Sequence, residues 1–209
     1  MSYTVTERKD SCGIQALSNI TDSHTLMALW KRSAAKNISD FIQEWKKQST
    51  FMESFESDFS SVSELSSALE KFMNTHCYSK LPTDPFVQDV IKLATIFKRH
   101  TQRKDCKLKL QWITKTMCPR YHSDFNTYRM LCTYTGEGTY WTPWDNVDWE
   151  NTRSTNNLLS TDYVRQANAF DVLLMKGRAH QHTNPYGQFH RSPPASTKAP
   201  RLMLKIDPY

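Results

Sequence analysis

The chain has 209 residues, a length that suits one globular domain and is short for two enzyme domains with a linker. Apolar residues at 38% and charged residues at 23% supply a core and exclude general disorder, five glycines exclude a collagenous chain, and no apolar run approaches the ~20 residues of a membrane-spanning helix. The formal charge of +6 is a mild excess, and its densest part, Lys98, Arg99, Arg103, Lys104, Lys107 and Lys109, comes without a nucleic-acid motif, so the expected partner is a small-molecule or protein substrate rather than nucleic acid or a membrane.

The N-terminal stretch Met1 to Cys12 carries Glu7, Arg8, Lys9 and Asp10 and lacks the apolar run of an export signal, which points to a cytoplasmic address. The cysteines Cys12, Cys77, Cys106, Cys118 and Cys132 are odd in number and widely spaced, as reduced thiols are. Residues 1–105 then read as mainly helical. From Leu26 to Lys47 the apolar positions Leu26, Leu29, Trp30, Ile38, Phe41, Ile42 and Trp45 fall mostly three or four apart, and Asn37 and Ser39 mark a break, so two helices are expected. Ser61 and Glu64 have the form of a capping box ahead of Val62, Leu65, Leu69 and Phe72. Asp84 is a plausible cap for a further helix through Phe86, Val90, Ile91, Leu93, Ala94 and Phe97.

The period changes near Lys107. Leu108, Leu110 and Trp112 alternate with Lys107, Lys109 and Gln111, the pattern of a half-buried strand. Strands are also expected at Tyr128 to Tyr134, Thr139 to Thr142, Ala169 to Met175 and Arg201 to Ile206, with Gly136, Gly138, Gly177, Gly187 and the pair Pro193, Pro194 between them. The reading is a single α+β domain, a helical N-terminal layer packed on a C-terminal antiparallel β-structure spanning 106–209.

Chemistry concentrates in that second half. In His122-Ser123-Asp124 the side chains two apart share a face of an extended segment and offer an imidazole and a carboxylate to one cation. His190, just before Pro193 and Pro194, is a third ligand, and two histidines with one carboxylate are the facial triad that holds non-haem Fe(II) with positions left open. Arg201 follows eleven positions after His190, and its planar guanidinium matches a carboxylate. Alternation in Arg201 to Ile206 puts Leu202, Leu204 and Ile206 on one face; with those leucines against the helices, Arg201 turns inward. Arg129 and Arg191 are other basic candidates, Arg191 facing away from His190. Tyr128 and Tyr134 can donate hydrogen bonds to a cosubstrate or simply pack in the sheet. Cys118 and Cys132 admit thiolate-assisted zinc binding against a default of small buried side chains. His180 and His182 read as exposed loop residues, and Trp141, Trp144 and Trp149 as core or as the rim of a substrate mouth.

The order His122-x-Asp124, His190, Arg201 resembles the Fe(II)/2-oxoglutarate dioxygenases. The resemblance implies a double-stranded β-helix of the jelly-roll or cupin kind, Fe(II) on His122, Asp124 and His190, and 2-oxoglutarate with its distal carboxylate on Arg201. Met203 departs from that family, which commonly carries a hydroxyl two residues after the arginine. The phrases Cys118 to Asp124, Arg129 to Thr139, Leu174 to Gly177 and His190 to Pro194 also resemble an uncharacterised domain-of-unknown-function family often encountered near genes of metal-handling GTPases. That kinship implies a second reading, a zinc-binding or metal-homeostasis protein using the same triad. A third, a cupin-like module without metal, requires His122 and His190 to lie far apart.

Overall fold

The computed structural model describes residues 3–9, 13–180 and 187–209, with the backbone alone at 8 and 9. Its strands are β1 (Thr4–Lys9), β2 (Thr25–Lys31), β3 (Ser54–Phe59), β4 (Cys106–Ile113), β5 (Tyr128–Thr135), β6 (Tyr140–Trp141), β7 (Arg165–Gln166), β8 (Val172–Lys176), β9 (His190–Arg191) and β10 (Arg201–Pro208). The helices are α1 (Gly13–Ala16), α2 (Lys36–Gln48), α3 (Val62–His76) and α4 (Asp84–Thr101). None of these helices is long and apolar enough to cross a membrane.

Two sheets face each other. The larger has the order β1-β2-β8-β5-β10-β4-β3, antiparallel throughout except for the parallel pair β1-β2. The smaller has the order β7-β6-β9, and an isolated antiparallel bridge from His122 to His190 extends it. This is an α+β double-stranded β-helix, backed on one face by helices. Each long helix lays a stripe at three- and four-residue spacing on the larger sheet: Ile38, Phe41, Ile42 and Trp45 from α2, Leu65, Leu69 and Met73 from α3, Phe86, Val90, Leu93 and Phe97 from α4. The sheet answers with Leu108, Leu110 and Trp112 of β4, Met130, Cys132 and Tyr134 of β5, and Leu202, Leu204 and Ile206 of β10. A second apolar cluster, Met27, Leu29, Leu131, Trp141, Leu173 and Met175, fills part of the space between the sheets.

Three expectations change. Leu26 to Trp30 form a strand, not a helix, because β2 lies between β1 and β8 and is buried from Thr25 to Trp30 on both faces. A strand buried on both sides reads as a continuous apolar run, which periodicity alone cannot tell from a helix. With β1 and β3, it carries the N-terminal half into the main sheet rather than leaving it a purely helical layer. Asp84 sits inside the first turn of α4, whose cap is Thr83, whereas Ser61 does cap α3 by accepting from the Glu64 amide at 3.4 Å.

Candidate metal centre and its cavity

The site is built where the smaller sheet meets β5 and β10. His122 and His190 are direct antiparallel partners, each amide donating to the other's carbonyl at 3.0 and 2.9 Å, so their rings leave the backbone side by side with centroids 4.8 Å apart. Asp124, two residues on, turns to the same side. One ligand atom from each of His122, Asp124 and His190 lies within 4.8 Å of the others. Sixty-odd positions of chain are thus closed by one β-bridge, and a module with its two histidines far apart is excluded.

Backbone carbonyls orient both rings. His122 Nδ1 lies 3.0 Å from the Arg120 carbonyl oxygen and His190 Nδ1 lies 3.1 Å from that of Gln188. A carbonyl only accepts, so each Nδ1 carries the proton, and in the neutral ring each Nε2 turns a lone pair toward the centre. There the two Nε2 atoms stand 3.7 and 3.2 Å from the Asp124 carboxylate oxygens. Asp124 Oδ1 is taken by Arg129 Nη1 at 2.5 Å, while Oδ2 is buried without a hydrogen-bond partner. Burial pushes the Asp124 carboxyl up, but the adjacent His122 and His190 imidazoles and the Arg129 charge outweigh it and hold it well below the usual carboxylate range. Asp124 in turn raises His122.

The loop carrying Asp124 is pinned from β8. Arg178 N donates to the Asp124 carbonyl at 2.8 Å and Gly177 N to that of Thr127 at 3.1 Å. A Cβ at Gly177 would come within 2.3 Å of the Asn126 carbonyl oxygen and 2.8 Å of that of Asp124, so only glycine permits this approach. Arg129 is fixed by Asp207, which accepts from its Nε at 2.7 Å and its Nη2 at 2.8 Å.

A cavity of about 150 Å³ opens beside the histidines. Its wall includes Met117, Cys118, Leu131, Thr139 and Met203, the polar Gln111, and the cations Lys109, Arg129 and Lys205. Arg201 shares the face of Met203 and Lys205, since Leu202, Leu204 and Ile206 pack under the helices. It is buried to 1% exposure behind the cavity wall rather than in it. Its Nε donates to the Glu137 carbonyl at 2.6 Å and its Nη2 to Thr133 Oγ1 at 3.1 Å, while Nη1 is buried with no partner among the described residues. Gly136, at φ 85, clears the space: a Cβ there would lie 2.7 Å from Arg201 Cγ.

Other expected positions fall elsewhere. Tyr128 and Tyr134 face the helices, because alternation in β5 gives the cavity side to Arg129, Leu131 and Thr133; neither tyrosine reaches the site. Tyr134 donates to Asp89 at 2.7 Å, and the Tyr128 hydroxyl lies 2.7 Å from His180 Nε2, so His180 is half-buried rather than a free loop residue. Cys132 shares their face; Cys118 is exposed at the cavity rim and is not one of the converging triad. Trp141 packs between the sheets, Trp144 lies tilted against Tyr3 and Trp149 meets Phe189 edge-on. Arg191 lies over the rings of Tyr121 and Tyr140, away from the centre. His182 and Cys12 lie outside the described residues. Lys109 and Lys205 line the cavity although the sequence pattern does not single them out as site residues.

Solved structures share this architecture. The rice dioxygenase for auxin oxidation superposes with a TM-score of 0.50 at 10% identity, covering 98% of this chain and 82% of its own. A full-length Neurospora crassa protein, solved in complex with alpha-KG and thymine, gives 0.51 at 8% identity, covering 99% and 86%. The fold is therefore the double-stranded β-helix that these structures share. A family model described as "Protein of unknown function (DUF1826)" matches residues 11–207, and the chain belongs to that family. Among curated proteins there is no match.

Proposed function

We propose that this chain is a non-haem Fe(II)- and 2-oxoglutarate-dependent oxygenase, with His122, Asp124 and His190 as the metal ligands. The observation that carries the reading is the meeting of three acceptors: two imidazole lone pairs and a buried carboxylate oxygen face one another with no donor between them. Such a cluster calls for a cation, and two histidines with one carboxylate suit Fe(II) with open positions. Bound Fe(II) and 2-oxoglutarate supply dioxygen activation coupled to oxidative decarboxylation of the cosubstrate to succinate.

The protein's part is orientation and exclusion of water. The Arg120 and Gln188 carbonyls hold the two tautomers, and Arg129 occupies Asp124 Oδ1 so that Oδ2 is the oxygen offered. Arg201 suits the distal carboxylate of 2-oxoglutarate: it is a buried guanidinium bonded, among the described residues, to neutral acceptors, and burial pulls it down to about 10 from its ordinary value. An uncompensated buried charge is unfavourable, and an anion reaching Nη1 would relieve it. Met117, Leu131 and Met203 make the cavity wall partly apolar and help to keep it dry.

The test is anaerobic titration with Fe(II), then with 2-oxoglutarate, followed by succinate measurement after admitting air. Wild type is expected to bind both, His190→Ala to lose the metal, and Arg201→Met to keep the metal and lose 2-oxoglutarate. A wild-type protein that binds neither ends the reading. Tight zinc with a fourth protein ligand, Cys118 being the one at the rim, would replace it with a storage or sensing role.

A further inference from the structure

We propose that the open cavity beside the triad receives an anionic substrate, a carboxylate or phosphate compound whose acidic group seats on Lys109 and Lys205; the inference rests on the oxygenase reading and deepens it. Lys109 and Lys205 are direct cross-strand partners of β4 and β10, so their side chains leave the same face opposite one another. Like charges placed so are unfavourable unless something negative lies between or beside them. The neighbouring carboxylates approach from the flanks: Glu56 meets Lys109 at 3.0 Å and Asp207 meets Lys205 at 3.6 Å. Asp207 is already shared with Arg129, and Glu56 with Lys107 at 3.4 Å. Neither Glu56 nor Asp207 lines the cavity, whereas both lysines do, together with the amide of Gln111. The wall thus offers an incoming ligand two ammonium groups and an amide, with apolar Leu131, Met117 and Met203 nearby for its body.

This locus is separate from Arg201. Lys205 lies four residues further along β10, a rise of about 13 Å, and is half-buried at the cavity surface rather than enclosed behind it. Two cationic loci suit two anions: the cosubstrate on the buried guanidinium and the substrate on the open lysine pair.

Benzoate, phenyl phosphate and neutral benzamide are suitable probes, titrated into the full-length protein by calorimetry without metal or 2-oxoglutarate, so that the result is readable even if the oxygenase reading fails. At least one of the two anions is expected to bind about tenfold or more tightly than benzamide, and Lys205→Met and Lys109→Met each to weaken it about tenfold. The stronger of benzoate and phenyl phosphate tells carboxylate from phosphate. In a parallel titration with metal present, 2-oxoglutarate affinity is expected to stay within about twofold of wild type in both variants. Equal binding of benzamide, no binding of either anion, or anion binding indifferent to both lysines overturns the proposal. So does a loss of 2-oxoglutarate in Lys205→Met that parallels the loss of the anion, which would make the pair the cosubstrate seat. The comparison of anion with benzamide on wild type needs no variant and stands if a variant fails to fold.

Discussion

The two faces of the larger sheet treat buried charge in opposite ways. On the helix side Arg32 is gripped by Asp89, Nη1 to Oδ1 at 2.6 Å and Nη2 to Oδ2 at 2.8 Å, and Asp89 also accepts from Tyr134 at 2.7 Å. Its Nε donates to the Phe170 carbonyl at 2.7 Å. Burial pulls the Arg32 guanidinium down, but Cys132, Asp89 and Tyr134 together push it above its ordinary value. On the cavity side Arg201 has neutral partners alone and an orphaned Nη1, and it is held below its ordinary value. The first arrangement is closed; the second is a buried cation whose Nη1 has no partner among the described residues, which is why an anion is proposed there. A completed network marks structure, and an incomplete one beside a cavity marks a site.

That contrast breaks most sharply in stability. Asp89→Ala leaves the largely buried Arg32 without its ion-pair partner and strips Tyr134 of its acceptor, so a loss of about 3 kcal/mol in chemical denaturation is expected. Arg201→Met removes a buried charge that has no ion-pair partner among the described residues, and its stability is expected within about 1 kcal/mol of wild type or above it. Equal destabilisation by the two would mean that Arg201 is simply another structural arginine.

The next effect concerns the loop rather than the charges. Gly177→Ala forces the Asp124–Asn126 backbone away from β8, at a cost of about 1–3 kcal/mol for an inserted methyl. Because the displaced carbonyls belong to Asp124 and Asn126, metal affinity is expected to fall with the melting temperature. Unchanged affinity would show that the Asp124 side chain is placed independently of that contact.

How far the sequence announces this arrangement depends on how local each signal is. The pairing of His122 with Asp124 is a two-residue regularity and is readable directly. Its closure with His190 depends on a single β-bridge between distant segments, which spacing cannot reveal and which family likeness supplied. The leucines of β10 declare their face because they alternate, and Arg201 follows from them. Tyr128 and Tyr134 also alternate, but which face of β5 carries the site becomes legible only once Arg129 is seen bonded to Asp124. Leu26 to Trp30 hides as a helix because both its faces are buried, leaving no polar residue to betray a period of two. Lys109 and Lys205 are not legible as a pair, because their opposition exists in the register and not in either strand.

A smaller effect is expected from the residue that joins the site to the sheet. Arg129→Gln retains a donor toward Asp124 but loses the charge and the paired bonds to Asp207, and such supports of a metal ligand contribute roughly tenfold or more in affinity. Competition with a chromophoric chelator reads it without turnover. Rescue by Arg129→Lys would show that charge suffices; failure of lysine to rescue would show that the fork matters.

Lys176 is a third buried cation and refines the contrast, because unlike an arginine it can give up its proton. It is 1% exposed and, among the described residues, donates to one backbone carbonyl, that of Asp22, at 2.5 Å. Burial pulls it down to about 8 from 10.5, with Asp22 acting against the shift. The sign follows from proton counts: between pH 8 and 10.5 the unfolded chain holds more protons on this lysine than the folded one, so the contribution to stability improves as pH rises. From pH 7.5 to 8.5 the gain is expected to stay under about 1 kcal/mol, read as the difference between wild type and Lys176→Met so that thiols and tyrosines titrating nearby cancel. A flat difference would mean that the ammonium is as well satisfied by one carbonyl as Arg32 is by its carboxylate. The rule separating closed networks from open ones would then need more than a count of partners.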